Sequence, residues 1–184
     1  MGGSRLEQQV IQWLRERGVE LADIAEVVAQ LLKPRLPDVG PQECLEAVRR
    51  VVSKREAQFA ILTGIALDVL AERGQLPEPL RTAIRDDSPL YGIDEVLALA
   101  ITNLYGSVGL TAFGYLDKRK LGIIGQLNRH RDGAVHTFLD DLVAGVAAAA
   151  AARIAHRHPR QAAQRDGAGE YQAVAPTEAA GQPA

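Results

Sequence analysis

The chain has 184 residues, 47% hydrophobic and 24% charged, an ordinary globular balance that excludes a collagen-like or coiled-coil rod and a chain unfolded throughout. Lys and Arg number 21 against 23 Asp and Glu, so the net charge of −2 excludes general nucleic-acid binding driven by phosphate neutralisation. The single cysteine, Cys44, excludes an intramolecular disulfide and a cysteine-rich zinc site.

Met1-Gly2-Gly3-Ser4-Arg5 runs straight into polar residues with no apolar signal segment, which predicts a cytoplasmic location. From there almost every segment shows the 3.6-residue period and almost none alternates, so the fold class expected is all-α, a compact multi-helix bundle. Arg5 to Arg17 places Leu6, Val10 and Leu14 on one face and ends before Gly18. Residues 21–33 repeat the pattern with Ile24, Val27, Val28, Leu31 and Leu32, and Pro34 stops them. Pro41 suits the first turn of a third helix that carries Leu45, Val48 and Val51. Ser53-Lys54-Arg55-Glu56 has the spacing of a capping box and predicts the start of a long helix reaching Glu72, closed by Gly74. Pro77 and Pro79 frame a short helix over Leu80 to Arg85, Asp86-Asp87-Ser88-Pro89 reads as a loop, and Gly92 to Leu104 is helical again.

The uncharged stretch Val96 to Leu116 has the length of a membrane span, for which about 20 apolar residues suffice. Asn103, Gly106-Ser107, Gly109 and Gly114 interrupt it, so no transmembrane span is expected; Tyr105-Gly106-Ser107 predicts a break between two helices. A last helix, from about Ala134 to His156, contains Gly145 and the run Ala147 to Ala152, small residues that let neighbours approach closely and place this helix at the bundle centre. From Pro159 onward no apolar stripe remains, which divides the chain into a helical domain over 1–158 and a disordered tail over 159–184.

Three acidic groups lie inside apolar sequence: Ile93-Asp94-Glu95-Val96, Tyr115-Leu116-Asp117-Lys118 and Phe138-Leu139-Asp140-Asp141-Leu142. Adjacent helical residues point about 100° apart, so at most one carboxylate of each pair is certain to face a given site, and the other is available as support or cap. Carboxylates converging ~5 Å apart would repel by about 3 kcal/mol per pair, and so demand cations, protons or hydrogen-bond donors. An oxygen-only cluster selects a hard ion, Mg²⁺ where phosphate is the substrate. The competing structural reading makes Asp94 and Asp117 dipole partners at helix N-termini and Asp140-Asp141 the wet edge of a helix.

Lys118, Arg119 and Lys120 supply phosphate donors or, for Arg119 and Lys120, a solvated face. Lys54 and Arg55 open a helix where cations are unfavourable unless an anionic ligand or acidic side chain neutralises them. His136, one turn before Asp140, suits support of a metal ligand or packing, and His156 and His158 suit a helix C-terminus. His130-Arg131-Asp132 matches a kinase catalytic loop only as a string, without its Gly-rich loop or Asp-Phe-Gly, and reads as a basic surface loop.

Tyr91-Gly92-Ile93-Asp94-Glu95-Val96, Tyr115-Leu116-Asp117-Lys118 and His136-Thr137-Phe138-Leu139-Asp140-Asp141-Leu142-Val143-Ala144-Gly145-Val146 together resemble the phosphatidylglycerophosphatase A family, in its short soluble YutG-type branch. The resemblance covers about residues 5–159 and includes Ser53-Lys54-Arg55-Glu56 and Ile61-Leu62-Thr63-Gly64. It implies an all-helical bundle around a central helix, and Mg²⁺-dependent removal of the terminal phosphate of phosphatidylglycerophosphate to give phosphatidylglycerol. Asp94, Glu95, Asp117, Asp140 and Asp141 are the acidic positions it carries over. The family's membrane members have hydrophobic spans and a Gly/Pro-rich loop near the start. This chain has Leu62-Thr63-Gly64-Ile65 instead, so its phosphatase would act peripherally at a bilayer surface or on a soluble ester.

The expectation is therefore a helical phosphohydrolase. Asp94, Asp117, Asp140 and Asp141 hold one or two Mg²⁺, Glu95 is ligand or general base, Lys118 holds a phosphate oxygen, and Asp94, Glu95, Lys118 and Asp141 carry the chemistry. Water attack and an aspartyl-phosphate both remain open. The partner expected is a phosphate-ester substrate, a lipid at the membrane surface, with homodimerisation compatible with a broad apolar surface. The alternatives are a nucleotide or small-ester phosphohydrolase and a non-enzymatic interaction bundle.

Overall fold

Ser4 opens the first helix, its hydroxyl accepting the Glu7 amide at 3.2 Å, and α1 (Arg5–Glu16) follows with Val10 and Leu14 buried. The structure, a computed structural model, describes residues 4–129 and 133–158. Glu20 and Asp23 cap α2 (Leu21–Leu32) reciprocally, and Pro41 occupies the first turn of α3 (Pro41–Val52), where its missing N–H costs nothing. Then come α4 (Arg55–Glu72), α5 (Leu80–Arg85), α6 (Ile93–Thr102), a 3₁₀ turn (Asn103–Tyr105), α7 (Gly106–Arg119), α8 (Ile123–Leu127) and α9 (Leu139–Arg157). Among the described residues there is no strand, as the periodicity requires. The tail from Pro159 and the His130-Arg131-Asp132 string lie outside the described residues.

Two boundaries differ from the expectation. Ser53 does not form a capping box: α3 runs to Val52, so Ser53 closes that helix in αR geometry and its hydroxyl donates to the Arg50 carbonyl at 3.0 Å. α4 starts after Lys54 without a side-chain cap. The last helix begins at Leu139, not near Ala134, because other elements take the backbone groups just before it. Val135 donates its amide to Glu72 at 2.7 Å, and its carbonyl accepts from Arg17 at 2.6 Å. The Thr137 hydroxyl donates to the Ile84 carbonyl at 2.6 Å.

α9 is the central helix, packing against α2, α3, α4, α6, α7 and α8, with the whole run Ala147 to Ala152 buried. Close approach depends on two glycines. A Cβ on Gly64 of α4 would lie 2.4 Å from Leu142 Cδ1 and 2.9 Å from Phe138 Cβ, and one on Gly145 would lie 3.0 Å from the Ala98 carbonyl oxygen of α6.

Among the described residues one helical run, Ile93–Arg119, is long and apolar enough to cross a membrane. The expected break is present, since the 3₁₀ turn divides the run and Gly106 has a φ of 75°. Both halves pack on α9, yet Ile93, Val96, Leu104, Val108, Leu110 and Tyr115 stay exposed.

Candidate active site

The first turn of α9 carries Asp140 and Asp141, which are 5% and 4% exposed and so are not the wet edge of an amphipathic helix. Helix N-termini favour negative charge because their amides are unpaired, which suits both residues to this end. Asp140 Oδ1 accepts the Asp141 amide at 3.0 Å. A third buried carboxylate reaches the same turn from α4: Asp68 accepts the amides of Phe138 at 3.1 Å and Leu139 at 3.0 Å. Asp68 thus caps a helix far from it in sequence, and the Arg17–Glu72 ion pair anchors the approach to it by binding both backbone groups of Val135.

Asp117 lies in the last turn of α7, the opposite of the helix N-terminus expected for a dipole partner, and a carboxylate there is unfavourable. The chain offsets it with Lys120, the C-cap of that helix. Lys120 Nζ donates to Asp117 Oδ1 at 2.7 Å, to Asp140 Oδ2 at 2.9 Å and to Asp141 Oδ1 at 3.2 Å. Three carboxylates from two helices therefore converge on one ammonium. Lys120 adopts left-handed geometry, φ 46° and ψ 55°, which costs a non-glycine residue about 1 kcal/mol and reverses the chain so that its side chain returns toward α9. Gly125 secures that turn, since a Cβ there would lie 2.4 Å from the Lys120 carbonyl oxygen.

Negative charge exceeds positive charge in this cluster. Burial pushes the Asp140 carboxyl up to about 6 even though Lys120 opposes the shift. Burial, then the repulsion of Asp140, pushes Asp141 up to about 8. Burial likewise raises Asp68 to about 8, against its two amide donors and Arg17. Burial works against the Lys120 charge, but Asp140, Asp117 and Asp141 hold its ammonium above the usual lysine range.

Asp94 sits in the first turn of α6, partly buried, with Oδ1 accepting the Glu95 amide at 2.9 Å. Burial raises its carboxyl, the charge of Asp87 adds to the rise, and Lys120 lowers it, so Asp94 lies within electrostatic reach of the cluster. Asp87, at a φ of 47° in the loop before α6, also raises Asp140. The structure thus brings together Asp117, Asp140 and Asp141, with Asp94 at their edge. Glu95 and Lys118 are exposed and outside the Lys120 cage. Sequence reasoning missed Asp68, Asp87 and the role of Lys120. Asp is among the few residues that tolerate a left-handed turn, which is a weak signal for Asp87; Asp68, a lone carboxylate in an apolar helical stretch, gave a stronger one.

Of the remaining candidates, His136, His158, Lys54 and Arg55 have structural partners. His136 Nδ1 is 3.1 Å from the Leu127 carbonyl oxygen of α8, and its own carbonyl accepts the Asp140 amide. His158 Nε2 is 3.1 Å from Glu43 of α3, and His156 is exposed. The Lys54 ammonium lies 5.8 Å from the centre of the Tyr105 ring and the Arg55 guanidinium 5.9 Å from that of Phe59, so aromatic faces are partners to the cations that open α4.

Among the described residues no group of three or more Asp, Glu, His or Cys side chains is spaced to hold a metal. The oxygens lie 2.7–3.2 Å from Nζ, whereas Mg²⁺ binds oxygen at about 2.0–2.1 Å. The donor chemistry nevertheless fits a hard divalent ion: all oxygen, rich in negative charge, and already converging on a cation. Asp117, Asp140 and Asp141 are the residues that would hold it.

An all-α bundle with buried carboxylates at the head of its central helix defines the class of this protein. Residues 10–156 match the family described as Phosphatidylglycerophosphatase A. The chain belongs to that family, and membership points to phosphatase chemistry. It is 53% identical to the uncharacterized protein YutG of Bacillus subtilis, over 84% of this chain and 93% of YutG. It is 55% identical to the uncharacterized protein YpjQ of the same organism, over 79% of this chain and 81% of YpjQ. The crystal structure of low temperature requirement C protein from Listeria monocytogenes matches at a TM-score of 0.83 and 52% identity, covering 86% of this chain and 99% of that one.

Proposed function

We propose that this protein is a Mg²⁺-dependent phosphatase that removes the terminal phosphomonoester of phosphatidylglycerophosphate to give phosphatidylglycerol. The observation that carries this reading is the convergence of Asp117, Asp140 and Asp141 on a single cation in a chain of this family. Bound among these carboxylates, Mg²⁺ would polarise a phosphoryl oxygen as a Lewis acid. Asp68 fixes the first turn of α9 so that Asp140 and Asp141 are aimed before substrate arrives. Asp94, at the edge of the cluster with a raised carboxyl, is the group placed to exchange a proton with the attacking water or the leaving alkoxide. Lys120 supplies the nearest positive charge for a phosphate oxygen.

The lipid is favoured over a soluble ester by the surroundings of Asp94. Leu90, Ile93 and Val96 are exposed on the loop and first turn that carry it, and Tyr115 is exposed on the helix that carries Asp117. An apolar rim suits acyl chains at a bilayer surface. The test is phosphate release from phosphatidylglycerophosphate in mixed micelles, its soluble glycerol-phosphate analogues and a set of nucleoside triphosphates. Mg²⁺-dependent release from the lipid, lost in Asp94→Asn with the fold intact, is expected. Turnover of nucleotides alone would replace the lipid assignment with a nucleotide phosphohydrolase. A chain that binds no metal and turns over none of these would be an interaction bundle.

A further inference from the structure

The position a divalent ion would take is held by part of the protein. Lys120 Nζ donates to Asp117, Asp140 and Asp141 within 3.2 Å, and those three oxygens are what an ion would need. The backbone beneath this side chain is fixed. Lys120 terminates α7 in left-handed geometry, the amide of Lys120 donates to the Leu116 carbonyl at 2.7 Å, and Gly125 packs so closely on the Lys120 carbonyl that no side chain fits between. Above the backbone the lysine has room: its side chain is 27% exposed, whereas the side chains of Asp140 and Asp141 are 7% and 5% exposed and that of Asp117 is 33% exposed. The two α9 carboxylates are walled in, whereas Lys120 and Asp117 open together toward solvent.

We propose that Lys120 is a tethered counter-ion that holds the carboxylate cluster together without metal, and that Mg²⁺ displaces its ammonium into the site mouth, where it meets the substrate phosphate. A dication and an ammonium cannot share the same three oxygens without strong like-charge repulsion, so binding of one releases the other. The backbone pin means that release moves the side chain alone, leaving the ammonium tethered near the ion it yielded to. Lys120 is on this view a positioning residue in the empty site and a phosphate ligand in the loaded one. It also lowers apparent metal affinity, because only the fraction of molecules with the lysine swung out can bind.

The inference rests on the phosphatase reading above, and two measurements separate the two. The first is calorimetric titration of the full chain with MgCl₂, comparing wild type with Lys120→Met. If the lysine occupies the cage at least nine-tenths of the time, Lys120→Met should bind Mg²⁺ about tenfold more tightly or better. The second needs no variant: reductive methylation of wild-type lysines with formaldehyde, read by mass spectrometry. Lys120 should label several-fold faster in saturating Mg²⁺ than in EDTA, while exposed Lys118 labels equally in both. Mg²⁺ binding to wild type with unchanged Lys120 labelling, or with affinity equal or weaker in Lys120→Met, would overturn the displacement and leave the phosphatase reading standing. No Mg²⁺ binding to wild type would remove the metal site and the displacement together.

Discussion

The two ends of α9 are held by different forces. Over Val143 to Ala152 the helix is a rod of small apolar residues, all buried, and its stability comes from close packing of backbone against backbone, as at Gly145 and Ala98. In its first turn, Asp140 and Asp141 are equally buried but ionisable, and are accommodated there because one ammonium faces them while neighbouring amides are held by Asp68 and Asp140. The body tolerates no added volume; the first turn tolerates no loss of a partner. Packing resists pH and ions, whereas the ionisable first turn responds to both.

The largest effect should come from removing charge at the head. Asp141→Asn should lower Mg²⁺-dependent phosphate release on the order of 10²-fold or more, as loss of a metal ligand does, while leaving the melting temperature without metal unchanged or higher because a like-charged neighbour of Asp140 is gone. A parallel fall in activity and melting temperature would mean that Asp141 is structural. Next in size, Asp68→Ala leaves two buried amides without their acceptor, at about 1–3 kcal/mol each, and should lower the melting temperature by roughly 4 °C or more in differential scanning calorimetry. For the body, Ala149→Leu should destabilise by about 1–3 kcal/mol through overpacking, with no change in the Mg²⁺ dissociation constant of the folded fraction.

A pH series sharpens the same contrast. Asp68 and Asp141 titrate near 8 and Asp140 near 6 when folded, against about 3.9 for an unfolded aspartate. Between these limits the folded chain holds more protons than the unfolded chain, so stability without metal is greatest near pH 4 and falls as pH rises toward about 8. Mg²⁺ should reverse the decline, because the ionised cluster binds it best. A melting temperature that rises from pH 5 to pH 8 in EDTA would contradict this charge balance. The smallest effects are expected at Glu95→Gln and Lys118→Met, both exposed, each within about 0.5 kcal/mol in stability and about twofold in turnover.

Periodicity made the body of α9 legible, because packing acts through the very residues that repeat: the Ala run and Gly145 foretold a central helix with close neighbours. The acidic motifs likewise marked Asp117, Asp140 and Asp141 through their unusual setting among core residues. What stayed hidden was direction. Lys118 and Lys120 are indistinguishable in a basic triplet until the helix is known to end at Arg119, after which a left-handed residue turns one lysine inward. The start of α9 is illegible for a related reason: local pattern allows a helix from Ala134, but Arg17, Glu72 and Asp68, all distant in sequence, claim the intervening backbone groups, and the Ile84 carbonyl holds the Thr137 hydroxyl.

Asp68 caps α9 from 70 residues away, so the helix has no independent beginning. Helix ends normally fray, and their first amides exchange with solvent long before the core opens. Here the order is inverted: the amides of Phe138 and Leu139 are freed only when α4 and α9 part, so these two terminal protons should be among the slowest in the molecule to exchange. The turn that carries Asp140 and Asp141 is thereby tied to global unfolding, and its local excursions are suppressed by a residue on another helix.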